Sequence, residues 1–318
     1  MSRKLVVGVP ELTDADRKQI AEEADRNGFE AVFCTMREEA LPDDAEIVFS
    51  GSPAFAKISR NLRWQCSVSA GVNQFKGIPV FEDGTAVLTN SSGAYGVTIA
   101  EHLVMMTLEM LRRQVEFAAA AARNEWIKPL PVKSIYGSRV TFAGTGDIGC
   151  ETAKRIRAFE PAAMYGVNRR GRNPENLFDR IYTQEQIGEV LPETDILIIS
   201  MPGTDETFHM LDEKRLALLP DGALIVNVGR GFIIDEKALL PELESGRLAA
   251  ALDVFETEPL PADNPLWNSP NLLILPHVAG NMTLAHTREK IVAQFLEDFD
   301  NYCAQKPLAR LVDLKAGY

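Results

Sequence analysis

The sequence predicts an α/β fold of two doubly wound parallel-sheet domains, and three observations predict it. Short β-branched runs alternate with helical segments from residue 4 to residue 88. The same alternation restarts at residue 138 and runs to about residue 275. At that restart a glycine-rich turn, residues 144–149, joins an apolar run to a helical one. Alternation of this kind gives parallel strands whose crossover helices cover both faces of the sheet.

In the first series, Lys4–Val9 reads as a strand and Asp14–Asn27 as a polar helix with Ile20 and Ala24 on one face, closed by Gly28. Glu30–Cys34, Glu46–Ser50, Arg63–Ser69 and Val87–Leu88 read as strands, and Pro53–Ser59 as a short helix. A long helix from about Thr98 to the basic pair Arg112-Arg113 follows, and the helical tendency continues over Ala118–Ala122.

In the second series, Ser138–Ala143, Ala163–Asn168, Asp195–Ser200, Ala223–Asn227, Ala249–Val254 and Leu272–Leu275 read as strands. Ile148–Phe159, Thr183–Val190, Glu213–Leu219 and Glu236–Ser245 read as helices. Leu284–Gln305 is one amphipathic helix with Ile291, Phe295 and Phe299 at helical spacing. It is too long for a simple cap and is expected to return to the first domain. The expected division is residues 1–97 plus 285–318 against 98–284, with two chain crossings and a cleft.

The 318 residues carry 33 Lys plus Arg against 45 Asp plus Glu, a formal charge of −12. Such a chain is a poor partner for nucleic acid or an anionic membrane surface. A small anionic substrate must be met by a local cluster of positive charge. The N-terminal stretch reads as neither a signal peptide nor a membrane span. Cys34, Cys66, Cys150 and Cys303 form no CxxC pair. They read as reduced thiols of a cytoplasmic protein, with no metal site expected.

Gly144-Thr145-Gly146-Asp147-Ile148-Gly149 has the spacing of a dinucleotide-binding turn. The first glycine permits the tight turn, the second lets backbone approach a pyrophosphate, and the third lets helix pack on strand. The helix start offers N–H groups and a positive dipole end to phosphate. At the end of the next strand, where an NAD site usually has a carboxylate, stands Asn168, followed by Arg169, Arg170 and Arg172. A carboxylate would repel a 2′-phosphate by ~4 kcal/mol at ~4 Å and an effective dielectric of ~20. A neutral amide beside arginines removes that cost and supplies charged donors. The cofactor expected is therefore NADP(H), with NAD as the alternative.

Three later segments put polar groups just past apolar strands: Arg230 after 223–227, Glu258 after 249–254, and His277 after 272–275. The carboxyl ends of strands are where doubly wound sheets bind ligands. An arginine fork grips a carboxylate and polarises the adjacent carbonyl. Histidine suits reversible proton transfer near neutrality, and a glutamate beside it orients the ring.

With these residues in view, the sequence resembles the D-isomer-specific 2-hydroxyacid dehydrogenase family over nearly its whole length. The matching stretches are AGVNQF (70–75), TNSSGAYGVTIAEH (89–102), GTGDIG (144–149), MPGTDETFHML (201–211), NVGRGFIIDE (227–236), ALDVFETEPLP (251–261) and LPHVAGN (275–281). The resemblance implies a flavodoxin-like substrate domain and a Rossmann nucleotide-binding domain. It implies hydride transfer between NADP(H) and a small 2-hydroxy or 2-oxo acid. Arg230 would bind substrate, Glu258 support the histidine, and His277 act as acid and base while touching both substrate and cofactor. Backbone N–H groups of Ala70, Gly71 and Val72 would hold the substrate carboxylate. Met201, Pro202, Thr207, Val228, Gly229 and Gly280 would join the glycine turn in holding cofactor, with Asp253 on the nicotinamide carboxamide. Members are usually homodimers joined through the helix that begins near Thr98.

The sequence departs from the family at Asn168 and in the AGN that follows the histidine, which bears on the pocket rim. A nucleotide-sensing protein without catalysis is the alternative from another class, although it would have no need of the Arg/Glu/His set. Of the other histidines, His102 is expected to make a structural hydrogen bond, His209 to lie on the surface, and His286 is a candidate to reach the cleft. Phe75, Tyr95, Trp126 and Trp267 are candidates for core packing or for lining the pocket.

Overall fold

The computed structural model describes residues 3–35 and 42–314. It divides into two compact units, Met1–Tyr95 with Asn281–Tyr318, and Gly96–Gly280.

In the first unit the chain runs through β1 (Arg3–Val7), α1 (Asp14–Arg26), β2 (Phe29–Phe33), β3 (Ile47–Phe49), α2 (Ala54–Ile58), β4 (Trp64–Cys66), α3 (Pro79–Glu82) and β5 (Val87–Thr89). The strands are all parallel, in the order β2-β1-β3-β4-β5, which is the flavodoxin-type arrangement. Helix α1 starts in a capping box. The Thr13 hydroxyl accepts the Asp16 N–H at 3.2 Å, and the Asp16 carboxylate accepts the Thr13 N–H at 2.8 Å. Ile20 and Ala24 face the core with no exposed surface, as their spacing predicts. Helix α3 and a 3₁₀ turn at Asn73–Phe75 are additions that sequence periodicity did not reveal, because elements this short hold less than two turns.

The second unit begins with α4 (Gly96–Leu111) and α5 (Gln114–Ala122). The long helix ends at the basic pair, as expected, at an Arg113 with a left-handed backbone, φ 58°. The unit continues with β6 (Arg139–Ala143), α6 (Asp147–Arg157), β7 (Ala163–Asn168), β8 (Arg180–Thr183), α7 (Ile187–Val190), β9 (Ile196–Ile199), α8 (Glu213–Leu216), β10 (Leu224–Asn227), α9 (Glu236–Glu244), β11 (Ala249–Leu252) and β12 (Leu272–Ile274). Its seven parallel strands run β12-β11-β10-β9-β6-β7-β8, the Rossmann order with one strand added. Strand β8 was missed, and the helix expected from Thr183 starts later. Thr183 ends the strand and caps a 3₁₀ turn at Gln184–Gln186 before α7. Strand β8 is a short, partly exposed edge strand with charge at its start, so it lacks the apolar run that marks its inner neighbours.

Helix α10 (Ala285–Cys303) belongs to the first unit. Ile291, Phe295 and Phe299 are fully buried, and the Phe295 ring stacks on Phe49 at 4.2 Å. Burial of side chains of this size stabilises by about 1.5–3 kcal/mol each. Arg288 at its first turn donates to Asp16 of α1 at 2.9 Å.

Candidate active site

Strands β6, β9, β10, β11 and β12 all release their chains at the same edge of the second sheet, and each release carries part of the site. Between β6 and α6, close packing requires glycine at two of the three glycine positions, 144 and 149. Gly144 has φ 107°, and a Cβ there would meet the Ser200 carbonyl carbon at 2.8 Å. A Cβ on Gly149 would lie 2.1 Å from the Gly144 oxygen. Around Gly146 a Cβ would meet nothing, so the backbone there is open to a ligand. The N–H groups of Thr145, Gly146 and Ile148 donate to no described residue, and α6 has no side-chain cap. Asp147, on the first turn, packs under Gly96 of α4.

At the end of β7, Asn168 is hydrogen-bonded within the protein. Its Nδ2 donates to the Thr145 hydroxyl at 2.7 Å and to the Arg172 carbonyl at 2.9 Å. Its Oδ1 accepts the N–H groups of Arg170 at 3.0 Å and Arg172 at 3.3 Å. Asn168 ties the glycine turn to the arginine loop, and the side chains of Arg169 and Arg170 are exposed.

After β9, Met201 is buried and Pro202 exposed. Thr207 is buried, and its hydroxyl accepts the Thr204 N–H at 2.8 Å and lies 3.0 Å from the Pro202 carbonyl, shaping the turn behind Pro202.

After β10, a buried asparagine that sequence reading left without a role builds the arginine turn. Asn227 accepts the Gly229 N–H at 2.9 Å and donates to the Arg230 carbonyl at 3.0 Å. Val228 is buried and donates to the Ile199 carbonyl at 3.1 Å. The Arg230 guanidinium donates to the Gly229 carbonyl at 2.6 Å. Gly203 lies against its stem, where a Cβ would meet Arg230 Cγ at 2.8 Å. Burial holds the Arg230 guanidinium below its ordinary pKa, and the charge of Glu258 offsets part of that.

The ends of β11 and β12 meet. Glu258 Oε1 accepts the Phe255 N–H at 2.9 Å, and Oε2 lies 2.6 Å from Nδ1 of His277. His277 has a left-handed backbone, φ 54°, uncommon for a residue with a side chain and characteristic of functional positions. Asp253, 1% exposed, accepts the N–H groups of Val278 at 2.8 Å and Ala279 at 3.0 Å. It therefore fixes the loop that carries His277. Gly280, the last residue of the unit, is exposed.

Ala70, Gly71 and Val72 belong to the first unit, in the turn after β4. Their N–H groups donate to no described residue, while the Ala70 carbonyl accepts from Asn90 at 2.9 Å. His286 is exposed at the start of α10.

Among the described residues, the hydrogen bond expected of His102 is not made through Nε2. His209 has 31% of its side chain exposed, and its Nε2 lies 3.0 Å from Glu256. Asp235 completes a His209–Asp235–Glu256 group of the kind that could hold a metal ion. Its atoms already serve the protein: Asp235 caps α9, and Glu256 Oε1 accepts the Glu236 N–H. Phe75 and Tyr95 are buried in the core, whereas Trp126 is fully exposed and Trp267 is half exposed, with its Nε1 donating to the Pro261 carbonyl.

Residues 104–279 match the family described as D-isomer specific 2-hydroxyacid dehydrogenase, NAD binding domain. The glyoxylate/hydroxypyruvate reductase B of Serratia proteamaculans is 30% identical over 251 residues, covering 76% of each chain. That of an Enterobacter species is 31% identical over 246 residues, covering 76% of this chain and 74% of the relative. Among solved structures, a D-isomer specific 2-hydroxyacid dehydrogenase family protein from Aeromonas salmonicida superposes with a TM-score of 0.82 at 27% identity, covering 98% of this chain and 99% of that one. A D-isomer specific 2-hydroxyacid dehydrogenase from Xanthobacter autotrophicus, in complex with NADPH and MES, has a TM-score of 0.78 at 27% identity, with full coverage of both.

Proposed function

The chain belongs to the D-isomer specific 2-hydroxyacid dehydrogenase family, and from that premise we propose that it reduces a small 2-oxo acid with NADPH, using His277 as the proton donor. The observation that carries this is the 2.6 Å contact between Glu258 and Nδ1 of His277 beside a desolvated Arg230.

The residues fit NADP(H) on their own chemistry. The turn around Gly146 is open and has N–H donors, and Arg169 and Arg170 stand where a carboxylate would repel a 2′-phosphate. When bound, the cofactor supplies a hydride. Arg230 grips the substrate carboxylate and polarises the 2-oxo group. Glu258 fixes the His277 ring through Nδ1, so that Nε2 is the nitrogen that gives its proton to the carbonyl oxygen and takes it back in the reverse direction. In the first unit, the N–H groups of Ala70, Gly71 and Val72, which donate to no described residue, are of the kind that holds a carboxylate. Asp253 holds the loop of His277 and has lone pairs to spare for the nicotinamide carboxamide.

The substrates favoured are glyoxylate and hydroxypyruvate, on which the curated relatives are named as acting. The protein acts as a homodimer in the cytoplasm. The first statement is supported by Trp126, Val132 and Tyr136, large side chains exposed along the segment after α5. The second is supported by four cysteines that form no disulfide among the described residues.

The test is a substrate screen that follows NADPH absorbance with glyoxylate, hydroxypyruvate, pyruvate and longer 2-oxo acids, repeated with NADH. Turnover of a short 2-oxo acid with preference for NADPH is expected. Tight cofactor binding without turnover of any acid would point to a nucleotide sensor and overturn the reading.

A further inference from the structure

His102 stands in the second turn of α4, the helix that packs against β10, β11 and β12. Its Nε2 is enclosed by protein and has no hydrogen-bond partner. The nearest acceptor recorded for it is Oδ1 of Asp253, 3.7 Å away. Asp253 is itself shut off from water, and its described hydrogen bonds come from the backbone N–H groups of Val278 and Ala279. Those are the two residues that follow His277.

A buried carboxylate served by two backbone donors has unfilled lone pairs, and leaving them unfilled is costly. A carboxylate accepts and does not donate, so the nitrogen that faces it must carry the proton, whatever the charge of the ring. At 3.7 Å the contact is longer than a hydrogen bond, and a shift of about 0.7 Å brings it to ordinary length. Contacts of this kind are often loose until ligands are seated.

We propose that His102 is a positioning residue for the acid–base histidine. Its Nε2–H is the third donor to Asp253, and through that carboxylate it fixes the Val278–Ala279 backbone and with it the ring of His277 against Glu258. This rests on the reading of His277 as proton donor. It also explains why a polar side chain occupies a helix face turned toward the sheet, where an apolar one would pack at lower cost.

The test compares two variants of the full chain. His102→Met fills the space without a donor, and His102→Gln returns an amide N–H to nearly the same place. For H102M, kcat for 2-oxo acid reduction is expected to fall about 10- to 100-fold, the loss that follows from misplacing a reacting group. The amide hydrogens of Val278 and Ala279 exchange faster. H102Q recovers most of kcat and of the protection from exchange. The proposal is overturned if H102M keeps wild-type kcat, if H102Q is as slow as H102M, or if kcat drops with exchange at Val278 and Ala279 unaltered. Should H102M fail to fold, H102A is judged by the same outcomes. A wild-type enzyme that turns over no 2-oxo acid while exchange still responds to H102M would overturn the reading of His277 and support the His102–Asp253 link.

Discussion

Glu258 Oε2 lies 2.6 Å from Nδ1 of His277, joining residues nineteen positions apart at the ends of neighbouring strands. With Nδ1 committed, the opposite ring nitrogen is the one left to work on a substrate. Loss of the carboxylate in E258Q leaves the imidazole without its orienting charge and should lower kcat about 10- to 100-fold with little change in NADPH affinity. Steady-state kinetics with a fluorescence titration of NADPH checks this, and an unchanged kcat would remove Glu258 from the mechanism.

The direction of pH dependence follows from the proton inventory. Reduction of a 2-oxo acid consumes a proton and oxidation of the 2-hydroxy acid releases one, so raising the pH should slow the first and speed the second. Initial rates in both directions across one pH series test the opposite slopes. Parallel slopes would contradict the assignment.

Arg230 is desolvated, its stem packed by Gly203 and its carbonyl held by Asn227. Lysine in its place keeps the charge and loses the planar fork. R230K is expected to lower kcat/KM about 100-fold, corresponding to ~2.7 kcal/mol of transition-state binding, with KM for the 2-oxo acid rising. A variant with wild-type KM would show that the carboxylate is held elsewhere.

The arginine loop offers a separate test. Asn168 fixes it through four hydrogen bonds and the side chains of Arg169 and Arg170 stand exposed beyond it. Charge reversal of both arginines should weaken NADPH by about 100-fold, since each like charge near a phosphate costs on the order of 1–4 kcal/mol, and leave NADH nearly unaffected. N168A should weaken NADPH more mildly, because the charges remain and only their placement loosens. Unchanged NADPH-to-NADH selectivity in the double reversal would defeat the cofactor assignment.

In the first unit, Glu46 accepts from Arg3 at 2.6 Å and from the Tyr302 hydroxyl at 2.8 Å. The Arg3 hydrogen bond, against burial and helped by Tyr302, holds the Glu46 carboxyl below its ordinary pKa. Its contribution to stability is therefore complete above the unfolded-state value of ~4.3 and is lost as pH falls through the depressed native value. E46Q should be less stable by roughly 1 kcal/mol at pH 7, and the gap should close on acidification. Thermal unfolding of both proteins at several pH values measures it, and a constant gap would refute the pairing.

The sequence was most legible where pattern and position coincide. Continuous apolar runs located eleven of the twelve strands, and Arg230, Glu258 and His277 were visible because each follows such a run. The groups that hold them were not. Asn227 and Asp253 lay in quoted motifs, but that their side chains tie down the turns bearing Arg230 and His277 is a matter of three-dimensional hydrogen bonding with no spacing signature. The place of Asn168 beside a strand end is plain in the sequence, while its four hydrogen bonds to the glycine turn and the arginine loop are not. His102 carries no signal of its own, being one of several polar residues in α4 with Thr98, Glu101, Thr107 and Glu109.

The central claim is that His277 supplies the proton for reduction of a 2-oxo acid by NADPH. The most direct measurement is a single-turnover experiment that follows NADPH oxidation by glyoxylate or hydroxypyruvate in the wild-type enzyme and in H277N, with cofactor binding verified in both. The account predicts rapid oxidation by the wild type and a rate about 100- to 10,000-fold lower in H277N at unchanged NADPH affinity. Equal rates in the two proteins would contradict it.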